Sequence, residues 1–88
     1  MVSRAVLVVS GLGLHARAAA RFVRVAGAYR CQIRVSKGSR TTDGKSILGL
    51  LLLAAARGTE LVVTAEGPDE AEALEALTGL VNRGFEDP

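Results

Sequence analysis

Residues 2–26 read VSRAVLVVSGLGLHARAAARFVRVA, and the spacing of apolar positions changes character inside that stretch. Residues 2–9 are rich in β-branched side chains and predict a strand. Ser10-Gly11-Leu12-Gly13 is a turn signal. From Ala16 onward Ala19, Phe22, Val23 and Ala26 recur at helical spacing, which predicts an amphipathic helix with Gly27 as its stop. A strand that runs through a glycine turn into a helix makes the turn a junction between layers.

Working outward, residues 31–36 alternate, with Cys31, Ile33 and Val35 on one face and Gln32, Arg34 and Ser36 on the other. That pattern predicts a half-buried strand. Lys37-Gly38-Ser39 reads as a hairpin turn, and residues 39–43 as a short polar edge strand. Asp43-Gly44 breaks the chain, and a second helix is expected from Ser46 to about Ala56, ending near Gly58. Residues 60–66 predict a strand with Leu61, Val63 and Ala65 inward, and Val62 interrupts its alternation. Gly67-Pro68-Asp69-Glu70 opens a last helix, because proline suits a first turn and carboxylates suit its positive end. Leu74, Leu77 and Val81 carry its stripe, and Gly84 stands where a terminating glycine is expected. The order β-α-β-β-α-β-α predicts an α+β fold, one antiparallel sheet with helices on one face, in a single domain spanning residues 1–88.

Composition narrows the function. The chain has 88 residues, 49% of them apolar, so it can hold one aliphatic core. Its single cysteine, Cys31, cannot form an internal disulfide and has no cluster of metal-ligating neighbours; a buried residue in a reducing, cytoplasmic protein is expected, with no cofactor and no metal. The longest run without polar side chains, Ile47 to Ala56, is about half of the roughly 20 residues a membrane span needs, so no membrane insertion is expected. The net charge of +2 is too small to imply nucleic acid, and the aromatic residues Phe22, Tyr29 and Phe85 lie outside the expected strands, where RNA would need them for stacking. A copper chaperone would need a pair of cysteines. The first half of the chain is basic and the stretch after residue 60 mostly acidic, which suits one cationic surface and an acidic partner.

The lone histidine, His15, sits where the glycine turn enters the first helix. Unbonded N–H groups of a helix's first turn bind anions. Arg17, two residues on, offers a planar guanidinium to phosphate oxygens. Phosphoryl transfer asks for little beyond placement and charge stabilisation, so His15 and Arg17 are candidates for carrying a phosphoryl group. With no nucleotide loop or Mg²⁺ ligands, the phosphate would come from another protein. The plainer possibility is that His15 merely caps the helix.

GLHARAAARFV, residues 13–23, resembles the active-site signature of the HPr family, histidine-containing phosphocarriers of the bacterial phosphoenolpyruvate:sugar phosphotransferase system. Residues 43–50, DGKSILGL, resemble the regulatory-serine signature of the same family, at the spacing the family uses. The resemblance implies an open-faced β-sandwich: a four-stranded antiparallel sheet in order 1-4-2-3 with three helices on one face. It implies that His15 is phosphorylated on Nδ1, that Arg17 stabilises the phosphate, and that Ser46 is a regulatory phosphorylation site for an HPr kinase/phosphorylase where the host has one. Enzyme I would be the donor and IIA domains of sugar permeases the acceptors, with the carrier a monomer and not an enzyme in the turnover sense. The sequence departs from the family at Ala18, usually proline, and at Leu12, a place more often polar. Ser46 also has an ordinary reading as an N-cap, worth about 1 kcal/mol.

Arg17, Arg21 and Arg24 form a basic stripe on the first helix, away from its apolar stripe. The second helix is apolar nearly all round, which one layer of helices cannot fully bury. Ile47, Leu48 and Leu51 are therefore expected to be partly exposed and to form a partner site with Ala20, Arg21 and Arg24. In the family this region contacts enzyme I and IIA domains. Two alternatives stand: an HPr-like regulatory carrier, nitrogen-related or dihydroxyacetone-related, and a non-catalytic module that binds a small ligand.

Overall fold

Alternation of apolar and polar side chains sorts the two central strands into a dry face and a wet one. The structure, a computed structural model, describes residues 1–86. Its elements are β1 (Val2–Leu7), α1 (Ala16–Ala26), β2 (Gln32–Lys37), β3 (Arg40–Asp43), α2 (Ile47–Leu52), β4 (Glu60–Glu66) and α3 (Glu70–Asn82). In β4, Leu61, Val63 and Ala65 are buried, and Val62 is only half-buried on the opposite face. In β2, Ile33 and Val35 are buried while Arg34 and Ser36 lie on the outer face. The four strands pair antiparallel in the order β1-β4-β2-β3, with Val6 opposite Leu61 and Val35 opposite Val63. The order expected from the family resemblance is the order found.

The helices pack on the dry face. α3 lies on β1 and β4, α2 on β3, and α1 against both other helices. Ala18, Ala19, Phe22 and Ala26 are the buried stripe of α1, while Val23 packs half-exposed against the core. Ala18 is the residue of this stripe that helical spacing from Ala19 does not reveal.

Several boundaries differ from expectation. β1 ends at Leu7 rather than residue 9, although the Val8 N–H still donates to the Thr59 carbonyl. β2 runs from Gln32 to Lys37, one residue later than expected, and leaves Cys31 buried just before it. β3 begins at Arg40, not residue 39. The main correction is α2, which stops at Leu52 instead of about Ala56. Ala54 adopts a left-handed conformation (φ 52°), and Leu53 and Ala55 turn into the core. Burying those side chains outweighs continuing the helix, because a fully buried leucine is worth about 1.5–3 kcal/mol.

α3 ends as Gly84 predicts. Gly84 has φ 68°, its N–H donates to the Val81 carbonyl, and the Phe85 N–H reaches back to Leu80. These paired bonds, with Leu80 and Phe85 both buried, make a Schellman motif. The start of α3 differs: Asp69 is the N-cap, but its carboxylate makes no capping bond. It accepts instead from the Arg30 N–H at 2.8 Å and the Cys31 N–H at 3.0 Å, tying the helix to the entry of β2.

Candidate functional site

The position of His15 is set two residues earlier. Gly13 has φ 67°, and a Cβ there would stand 2.6 Å from the Ala55 carbonyl oxygen. The Leu14 N–H donates to that same oxygen at 2.8 Å, and the Leu14 side chain is buried. The turn is thereby clamped to the segment that leaves α2. The next residue, His15, becomes the N-cap of α1 with extended backbone (φ −82°, ψ 179°).

The His15 ring is half-buried and faces the first turn of α1. Its Nδ1 accepts from the Ala18 N–H at 3.4 Å, so the neutral ring carries its proton on Nε2. The Ala19 N–H donates to the His15 carbonyl, and the N–H groups of Ala16 and Arg17 have no acceptor among the described residues. No acidic side chain occupies the first turn. These free donors and the helix dipole favour an anion at the imidazole.

Arg17 is exposed, makes no hydrogen bond or ion pair among the described residues, and lines the same shallow depression as His15, about 350 Å³ in volume. Leu12, Arg21, Phe85 and Glu86 contribute to its walls. Arg21 donates from Nη1 to the Phe85 carbonyl at 2.9 Å. This fastens the chain after α3 to α1 beside the site, a contact sequence reading missed because residues 21 and 85 are joined only by the fold. It also missed the exposure of Leu12, which is 80% accessible at the rim.

The expected partner residues lie on two helices, α1 and α2, that pack against each other. Ala20 and Arg24 are exposed, and Arg21 is half-buried through its tether. Ile47 and Leu48 are exposed and Leu51 half-buried, while Leu50 is buried. Leu52, not among the expected residues, is also exposed. Ser46 is half-buried, and its Oγ accepts from the Gly49 N–H at 3.0 Å, the N-cap geometry.

Away from the site, burial pushes the Cys31 thiol up, and the Asp69 carboxylate beside it adds to the effect. The thiol is thus held protonated and unreactive. Among the described residues no group of three or more His, Cys, Asp or Glu could hold a metal, and no helix is long and apolar enough to cross a membrane.

Residues 2–83 match the family model PTS-HPr, described as the PTS HPr component phosphorylation site. The chain is 49% identical over 83 residues to the phosphocarrier protein HPr of Pseudomonas aeruginosa, covering 93% of this chain and 92% of that protein. It is 42% identical over 85 residues to the HPr of Neisseria meningitidis serogroup A, covering 97% and 96%. Among solved structures, an HPr-C-His from Thermoanaerobacter tengcongensis superposes with a TM-score of 0.94 at 36% identity, covering 100% of this chain and 99% of that one.

Proposed function

The chain belongs to the HPr family of phosphocarriers, and from that premise we propose that it accepts a phosphoryl group from enzyme I on His15 Nδ1 and passes it to IIA domains of sugar permeases. The observation that carries the reading is the half-buried imidazole at the N-terminus of α1, with first-turn amides that have no acceptor among the described residues and with Arg17 lining the same depression as the ring. The amides hold the phosphoryl oxygens, and Arg17 adds a mobile charge that can follow the group during transfer. The protein acts as a single domain in the cytoplasm, a monomer consumed and regenerated one phosphate at a time.

The docking surface in this reading is Ala20, Arg21, Arg24, Ile47, Leu48 and Leu51, an apolar centre with a cationic rim. It suits acidic partners. Ser46 is the regulatory site of the same surface. Phosphorylation there, by an HPr kinase/phosphorylase where one is present, places negative charge beside Ile47 and Leu48 and weakens enzyme I binding. Equal enzyme I affinity for wild type and Ser46→Asp would count against that role.

Incubation with phosphoenolpyruvate and enzyme I tests the central claim. Wild type gains one acid-labile phosphate and His15→Ala gains none. Absence of phosphate on wild type would leave a binding module, and a carrier that is phosphorylated but serves no IIA domain would be a regulatory one.

A further inference from the structure

From the contact between Ala18 and His15 we infer that the Ala18 backbone amide is a positioning group for phosphoryl transfer: it selects the nucleophilic nitrogen before transfer and holds a phosphoryl oxygen afterwards. The inference deepens the carrier reading above and rests on it.

Each first-turn amide of α1 has a distinct state. Ala16 and Arg17 have no acceptor among the described residues, and Ala19 is committed to the His15 carbonyl. Among the described residues only the Ala18 N–H meets the imidazole, at Nδ1. A donor aimed at Nδ1 requires a lone pair there, so the proton of the neutral ring resides on Nε2. The neutral ring therefore presents Nδ1 with its lone pair bare, as a nucleophile must be.

In transfer the Nδ1 electron pair forms the bond to phosphorus, the bond from phosphorus to the donor breaks, and that electron pair leaves with the donor. The Nε2 proton stays in place. Once Nδ1 is bonded to phosphorus it can no longer accept a hydrogen bond. The Ala18 N–H, a few ångströms away, then turns to a phosphoryl oxygen, joining the amides of Ala16 and Arg17. A neutral bond is exchanged for a charge-assisted one, which is about twice as strong, so the exchange favours the phosphorylated form. The position allows it: Ala18 lies in the first turn and is fully buried, so its place is held by packing and no intrahelical acceptor competes for its N–H.

The donor can be deleted in place, since proline is tolerated in a first turn and lacks an N–H. ³²P-labelled wild type is mixed with unlabelled Ala18→Pro and a catalytic amount of enzyme I until the label stops moving. The expected distribution favours wild type by about five- to tenfold. Ala18→Gly keeps the N–H and shares the label with wild type within about twofold on the same account. In the unphosphorylated proteins at neutral pH, imidazole ¹⁵N spectra show Nδ1 bare in wild type and Ala18→Gly, and a mixture of tautomers in Ala18→Pro. If amide spectra show that proline disturbs the fold, a synthetic chain with lactate at position 18 removes only the N–H and replaces it in both measurements. Even sharing between wild type and the donor-deleted chain overturns the inference while leaving the carrier reading intact. So does an equal penalty in Ala18→Gly, or a proton on Nδ1 in wild type. Label that never leaves wild type overturns the carrier reading itself.

Discussion

Gly13 shows how much a single residue without a side chain can decide. Its positive φ and its approach to the Ala55 carbonyl leave no room for a Cβ, and both features fix where His15 enters α1. Gly13→Ala is expected to cost about 2 kcal/mol or more in urea unfolding, from left-handed strain and the clash together. It should also slow phosphate uptake from enzyme I, because the imidazole moves off the first-turn amides. A variant as stable and as fast as wild type would show that the turn relaxes without displacing His15. The glycine was legible in the sequence as part of a turn; its contact with residue 55 was not, because α2 lies between them.

Among the elements, α2 and α3 show tertiary bonds replacing local ones. The C-terminal carbonyls of α2 are capped from the β2–β3 hairpin: Lys37 Nζ donates to Leu53 and Ala54, and Arg40 Nη1 to Leu52. The helix carries no basic residue in its own last turn, so these cations do that work from a distance. At α3 the Asp69 carboxylate leaves its own helix for the amides before β2. The Arg30 N–H chiefly, with that of Cys31, holds Asp69 below the usual carboxylate range. A lowered folded value means that its stabilisation is complete above the ordinary carboxylate range and is lost as pH falls through the lowered value. Urea midpoints measured from neutral pH downward should therefore separate wild type from Asp69→Ala at neutral pH and converge in acid. A gap that persists below the carboxylate range would assign the loss to packing instead.

For the whole molecule, one covered sheet face and one layer of helices leave α2 only partly buried. That geometry leaves Ile47, Leu48 and Leu52 exposed on a helix that packs against α1. Leu48→Asp is expected to change folding stability by no more than about 0.5 kcal/mol, as for other exposed positions. It should weaken enzyme I binding at least about tenfold, as for a central contact residue. Titration calorimetry with a parallel urea melt reads both. In the proposed reading, where a cationic rim steers an acidic partner, stopped-flow association should slow as salt rises. A rate indifferent to salt would remove steering from the account while leaving the apolar contact in place.

Local pattern alone was enough to mark every strand and helix, the dry side of β2 and β4, the glycine that ends α3, and His15 at the head of α1. These follow from periods of two and 3.6 and from backbone rules that act within a few residues. Tertiary packing decided the rest: that α2 stops at Leu52, that Asp69 serves β2 rather than its own helix, and that Arg21 holds Phe85 against the site. Each is a contact between groups whose chain neighbours do not constrain their distance. They exist only once the core has drawn the layers together.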